Sequence, residues 1–274
     1  MLTIYKHDGV ICAEGGLERN GKVVRTIYSF IVDGIVVDTG PKNLQTELVP
    51  FYESLSLNKV VLTHSHEDHS GNCPWFAEEM KLPVFVHSKG VEICAQHTPY
   101  PKYRQNTWGT REAFHALPLG STISSNHYTW EVIYTPGHAD DHIALFNKER
   151  GMMFSGDLYV DPHTRIAMDT ESIPVIIQSL KKLLTYDFQS MFCAHSGYHA
   201  NGKVQIKRKI DYLENLYEKV EKLYNEGGSV QEIKERLFPK KYGMIQLSNG
   251  EWDTLHIVSS IIDDIEIRKS LQKK

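Results

Sequence analysis

The sequence predicts an α/β protein, a four-layer αβ/βα sandwich with a helical C-terminal extension. Three observations carry this expectation. Short β-branched runs alternate with segments of helical period over the first two thirds of the chain, as two sheets with helices outside them require. Side chains with metal-binding chemistry recur where several of those runs end, the usual way a rigid scaffold presents a site. After residue 200 the strands give way to charged helices with apolar stripes. The chain accordingly divides into 1–200, a catalytic unit, and 201–274, a helical extension.

Residues 23–32 and 35–38 read as strands joined by an Asp33-Gly34 hairpin turn. Leu44, Leu48, Phe51, Tyr52 and Leu55 then recur with helical spacing, and Pro50 inside the pattern is expected to kink or divide the helix. Residues 59–62 form a short buried-type strand, 72–80 a helix, 84–86 a strand and 89–95 a helix. Strands follow at 129–134, 142–147, 152–155 and 191–193, with a helix at 172–184 whose apolar face carries Ile176, Leu180, Leu183 and Leu184. In the extension, Val204, Ile210, Leu213, Tyr217, Val220 and Leu223 form a stripe that Gly227-Gly228 ends. Ser229 and Glu232 have the spacing of a capping box, and 252–267 reads as a further helix.

The densest chemistry lies in Thr63-His64-Ser65-His66-Glu67-Asp68-His69, directly after a β-branched run. His64 and His66 are two apart, so an extended strand end points both imidazoles to one side. Asp68 and His69 follow where the chain can turn toward a second ion, and the spacing is not the helical i, i+4 pair of HExxH proteases. Three more candidates sit in turns after apolar stretches: His138 in Thr135-Pro136-Gly137-His138, Asp157 in Ser155-Gly156-Asp157, and His195 in Cys193-Ala194-His195.

H-x-H-x-D-H followed by a Gly-His, a Gly-Asp and a later lone His resembles the metallo-β-lactamase superfamily, in order and spacing, over roughly residues 20–200. Val37-Asp38-Thr39-Gly40 is similar to that family's early strand-end turn. The resemblance implies a two-metal site, with His64, His66 and His138 on one ion, Asp68, His69 and His195 on the other, and Asp157 bridging. Two divalent ions would serve, zinc ahead of manganese or iron, since imidazole and carboxylate suit all three. It further implies a hydroxide, bridging the ions, that attacks a small ester, thioester or lactone-type substrate, with Asp68 orienting the nucleophile and shuttling a proton. Thr135-Pro136-Gly137-His138-Ala139-Asp140-Asp141-His142 resembles the hydroxyacylglutathione hydrolase-like and β-lactamase-like hydrolase branches. Iron oxidoreductase chemistry of the persulfide dioxygenase kind, and phosphodiester or RNA hydrolysis, remain as alternatives. Thr63, Asp38 and Ser196 are the candidates for orienting the ligands.

A formal net charge of −4 offers no basic surface for nucleic acid, so the expected partner is a small molecule. No apolar run approaches the roughly 18 residues of a membrane span, and Lys6, His7 and Asp8 interrupt the start where a secretory core would lie. Cys12, Cys73, Cys94 and Cys193 lack CxxC spacing and read as reduced structural thiols, consistent with a cytoplasmic protein. Residues 96–118, with His97, Tyr100, Tyr103, Arg104, Trp108, Arg111 and His115, form either a lid or a surface excursion packed by its own aromatics. Lys207-Arg208-Lys209 is a candidate holder of an anionic substrate tail, and His142 and His199 are candidate orienters or substrate contacts. The helical extension finishes the core, joins a homodimer, or borders the site.

Overall fold

The computed structural model describes residues 1–19 and 21–272, so the last two residues of the expected 201–274 extension lie outside it. Seven strands form the first sheet: β1 (Leu2–His7), β2 (Val10–Arg19), β3 (Lys22–Val32), β4 (Ile35–Val37), β5 (Lys59–Val61), β6 (Val84–Val86) and β7 (Leu117–Pro118), in that spatial order. β1 to β4 are an antiparallel meander, and β4 to β7 are parallel. Both Asp-Gly turns, Asp8-Gly9 and Asp33-Gly34, have positive φ at each residue (50° and 78°, 48° and 85°), which matches the right-handed strand twist. β1 and β2 fall outside the predicted strands, because Lys6, His7, Glu14 and Glu18 break their apolar pattern.

The helices between the parallel strands are α1 (Gln45–Glu53), α2 (Glu67–Ser70), α3 (Cys73–Glu78), α4 (Ser88–Cys94) and α5 (Lys102–Trp108). α1 runs through Pro50 undivided, and a 3-10 turn at Lys42–Leu44 precedes it. Pro50 and Thr46 lie on the exposed face, which opens to solvent the carbonyl that the missing N–H leaves free.

The other strands are β8 (Thr122–Ser124), β9 (Thr129–Tyr134), β10 (Ile143–Asn147), β11 (Met152–Gly156), β12 (Ala167–Met168), β13 (Ser190–Cys193), β14 (Gly197–His199) and β15 (Trp252–Asp253). Six form a second sheet, ordered β14-β13-β11-β10-β9-β8, and β12 pairs with β15. α6 (Ile173–Leu184) crosses between the parallel strands β11 and β13. The chain continues with α7 (Gly202–Asn225), α8 (Val230–Leu237), α9 (Gly243–Leu247) and α10 (Thr254–Gln272). The Ser229–Glu232 capping box forms in full, while Trp252 and Asp253, expected to open the last helix, form β15 instead.

Period-two alternation sorts the strand side chains between layers. Ile35, Val37 and Val61 meet Ile143, Leu145, Met152, Phe154 and Phe192 between the sheets. Val36 and Val60 face Leu48, Tyr52 and Phe76 of the first helical layer. Ala144, Phe146, Met153, Met191 and Cys193 face the second, where α6, α7, α8 and α10 share one core. The two sheets with helices on both outer faces are the αβ/βα arrangement, and the C-terminal helices bury their stripes against it. All four cysteines are buried and free. Among the described residues, no helix is long and apolar enough to cross a membrane.

Asp33 fastens one hairpin to the other sheet. Its carboxylate accepts hydrogen bonds from Ser125 Oγ (2.6 Å) and His127 N (2.6 Å) and pairs with His127 Nδ1 (2.6 Å). Burial pushes this carboxyl up, but the bonds from Ser125 and His127 outweigh it and bring it down to about 2. Asp33→Asn tolerates the left-handed turn and loses the charge. We expect it to cost about 1–2 kcal/mol near neutral pH. A depressed carboxyl stabilises above its ordinary value of 3.8, so the deficit should shrink as pH falls from there toward 2. Urea unfolding of both proteins across that range measures it; a deficit independent of pH would refute the ionic role.

Candidate metal centre

Asp38 follows β4 with φ +58°, a backbone region that an Asp tolerates better than most residues. Its carboxylate accepts from Thr63 N and Thr63 Oγ1, each at 2.8 Å, which fixes the chain where it leaves β5. The metal-type loop then turns into α2, where His69 N and Ser70 N both donate to the His66 carbonyl. That turn sends Asp68 and His69 to one side and leaves His64 and His66 on the other. His138 lies beyond the end of β9, Asp157 directly follows β11, and His195 lies just beyond β13. Strand ends from both sheets therefore converge at one edge of the sandwich.

There the seven predicted residues assemble into two donor groups, each with donor atoms within 4.8 Å of one another: His64, His66 and His138, and Asp68, His69, Asp157 and His195. Asp157 Oδ2 lies 3.1 Å from His195 Nε2, 3.4 Å from His69 Nε2 and 3.5 Å from His138 Nε2, so it touches both groups. Asp68 Oδ2 lies 3.3 Å from His195 Nε2. Among the described residues, His64 Nε2, His69 Nε2 and Asp157 Oδ1 are buried without a hydrogen-bond partner. Such orphaned donors are costly unless something else occupies them. Imidazole and carboxylate at these positions fit divalent metal ions.

The second ring nitrogen of each clustered His that the fold orients has its own partner. His69 Nδ1 meets Asp38 Oδ2 at 2.9 Å, and His64 Nδ1 meets Thr63 Oγ1 at 3.1 Å. His138 Nδ1 lies 2.5 Å from Glu171 Oε1, and His195 Nδ1 lies 2.7 Å from the Thr26 carbonyl. Ser196, expected to orient a ligand, instead bonds His199 Nε2 at 2.8 Å. Glu171 and Thr26 escape sequence reasoning: one is an acid in an irregular loop, and the other contributes only its backbone. His142 orients a donor indirectly, its Nε2 accepting from Asp157 N at 3.1 Å while Nδ1 bonds Thr135.

Electrostatics differ within the first group as well as between the two: burial pulls His138 down, but Glu171 overcomes it and raises this imidazole above the ordinary histidine range. Burial, reinforced by neighbouring imidazoles, holds His64 and His66 well below the ordinary histidine range. Burial also pulls His69 and His195 down, but Asp157 and Asp68 overcome it and lift both well above that range. In turn His195 and His69 hold the buried Asp157 carboxyl low, and His69 and His195 do the same for Asp68. Burial drives His142 down to about 3, so it is neutral.

Two further expectations resolve differently. Leu117 and Pro118 are strand β7, so the excursion spans fewer residues than 96–118. Within it, α5 sets Trp108 6.1 Å from His195, ring to ring, and the fully buried Arg111 donates to the carbonyls of Ile93, Cys94 and Gln96. Lys207-Arg208-Lys209 is not one cationic face, since helical geometry turns Lys209 inward to the Tyr159 carbonyl and Lys207 pairs with Asp211.

A family model described as "Metallo-beta-lactamase superfamily" matches residues 24–190. Bacillus subtilis YybB and YqjP, each named a probable metallo-hydrolase, are similar: YybB is 28% identical over 48% of this chain, YqjP 25% over 80%. The matches span 60% of YybB and 82% of YqjP. A hydroxyacylglutathione hydrolase of Idiomarina loihiensis is 28% identical over 69% of this chain and 67% of its own. The crystal structure of a metallo-beta-lactamase family protein from Thermus thermophilus superposes with TM-score 0.70 at 19% identity, covering 93% of this chain and 94% of that one, which shows the shared fold.

Gly156 has φ +49°, and a Cβ there would lie 2.5 Å from His142 Nε2 and 2.9 Å from Thr63 Cβ. Gly156→Ala combines left-handed strain with overpacking, so we expect a loss of about 2–4 kcal/mol. Denaturant titration checks this, and a loss below about 1 kcal/mol would mean that the strand end relaxes freely.

Proposed function

This chain belongs to the metallo-β-lactamase superfamily, and on that premise we propose that it is a dinuclear metal-dependent hydrolase of a small ester, thioester or lactone-type substrate. The observation that carries the proposal is the meeting of two donor groups at Asp157, with donor atoms of both buried and without a hydrogen-bond partner among the described residues. In this reading His64, His66 and His138 hold one ion, Asp68, His69 and His195 hold the second, and Asp157 serves both. Zinc leads, and manganese or iron suits the same donors. Bound there, two such ions supply a nucleophile from water at neutral pH and stabilise developing negative charge.

The chain's own groups supply the rest. Asp38 and Glu171 fix the rings of His69 and His138, so the donors are aimed before substrate arrives. Asp68, held ionised between His69 and His195, orients the attacking water through its carboxylate and carries the proton toward the leaving group at Oδ2. The hydroxyacylglutathione hydrolase among the relatives supports the ester and thioester class over the other chemistries of this fold.

Protein purified without chelator should carry about two ions per chain and lose turnover of thioesters or lactones on chelation. A single iron with no ester turnover would overturn the proposal in favour of oxygen or sulfur chemistry. Asp157→Asn should weaken retention at both positions. Asp68→Asn should weaken chiefly the second and lower kcat by about 10²–10⁴-fold. Equal loss from both positions in both variants would refute this division of ligands.

A further inference from the structure

Glu67 stands between His66 of one donor group and Asp68 of the other, and its side chain is fully buried. It belongs to neither group. Arg104 reaches it from α5 with two parallel hydrogen bonds, Nε to Oε1 and Nη2 to Oε2, both 2.6 Å. The remaining nitrogen, Nη1, donates to Glu251 Oε1 at 2.9 Å, and the guanidinium lies over the Tyr100 ring at 5.2 Å. Only a planar fork makes a bidentate pair with one carboxylate and still serves a second.

Glu251 directly precedes β15, and its carbonyl accepts from Asp169 N at 3.1 Å. β15 pairs with β12 through Met168 and Trp252. Glu171 N donates to the Met168 carbonyl at 3.1 Å, and the Glu171 carboxylate orients His138. The segment around Glu251 thus connects to the His66–Asp68 turn through Arg104, and to the support of His138 through β12.

We infer that Arg104 is a positioning residue of the metal centre: it locks the Glu67 turn to the C-terminal segment and so keeps His66 and Asp68 in register with His138. This rests on the dinuclear reading above. Without Arg104, the buried Glu67 carboxylate is stranded beside two donors and draws the α2 turn toward water. Lysine offers a point charge, not a fork, and does not replace it.

The test compares full-length wild type with R104M, R104K, E251Q and the double variant R104M/E67Q. Zinc affinity is read by competition with a chromophoric chelator, near-UV circular dichroism reports packing, and kcat and KM are measured separately. We expect R104M and R104K to bind zinc at least about tenfold more weakly, with kcat falling and KM little changed. E251Q should show a smaller loss, and R104M/E67Q should regain part of the affinity because no anion is stranded. Wild-type zinc affinity in R104M, even with lowered thermal stability, would overturn the inference, as would rescue by R104K or a rise in KM alone. If R104M does not fold, E251Q decides, since it keeps the Glu67 fork; unchanged affinity there overturns the inference. A wild type that takes up no metal overturns this inference and the dinuclear reading together, whereas normal uptake by wild type and variants alike overturns this inference only.

Discussion

Asp38 carries a carboxylate that is 1% exposed and holds Thr63 N, Thr63 Oγ1 and His69 Nδ1 together. A buried carboxylate of this kind is tolerated only with its bonds complete, and stranding one costs about 3–5 kcal/mol. Its backbone is equally committed, with N–H to the Val61 carbonyl (3.0 Å) and C=O to Ser29 Oγ (2.6 Å). Thr39 adds two bonds to the His69 carbonyl, from N and from Oγ1. The ends of β3, β4 and β5 are thereby joined to both ends of the metal-type loop. Moving any of them exposes or strands a polar group, so the loop has one position available to it.

The same logic extends across the seam, because each oriented imidazole is fixed from a different element. Thr63 serves His64, the Thr26 carbonyl serves His195, and Glu171 serves His138. Ile143 N donates to the Thr63 carbonyl at 2.8 Å, and Ser65 N donates to Asp141, so β10 and the turn before it brace the loop from the second sheet. The result is two unlike donor groups side by side. In the first, burial holds His64 and His66 below the ordinary histidine range while Glu171 outweighs burial and raises His138; in the second, Asp157 and Asp68 outweigh burial and lift His69 and His195.

What was legible in the sequence follows from how local each cause is. The Asp33-Gly34 hairpin and the β-branched run before His64 are written in neighbouring residues and form, and the α7 stripe holds from Ile210 on, while Val204 is exposed and Ile206 takes the buried place. Seven donors could be named because each is a chemically distinctive residue beside a strand end, and the fold does bring them together. The partners of those donors were legible only in part. Asp38 sits in a recognisable turn, but Glu171 is 33 residues from His138, and Thr26 acts through a carbonyl that every residue possesses. β1 and β2 show the complementary failure, since Asp8-Gly9 announces a turn while the exposed edge strand beside it lacks an apolar pattern. Pro50 does not divide α1, because that effect depends on which face of the helix it occupies, a tertiary property.

The molecule therefore separates what fixes the donors from what surrounds them. The frame is backbone and buried carboxylate at strand ends, where displacing a partner leaves a buried polar group unpaired. α5 and the C-terminal segment are under a different constraint. They reach the frame through the Arg104 fork on Glu67 and the β12–β15 pairing, while α10 itself packs into the core it shares with α6 and α7. Trp108, carried by α5, lies beside His195 with the two rings 6.1 Å apart. Of the two attachments, the Arg104 fork ends on the turn that carries His66 and Asp68, whereas the β12–β15 pairing leads to Glu171 and so to His138.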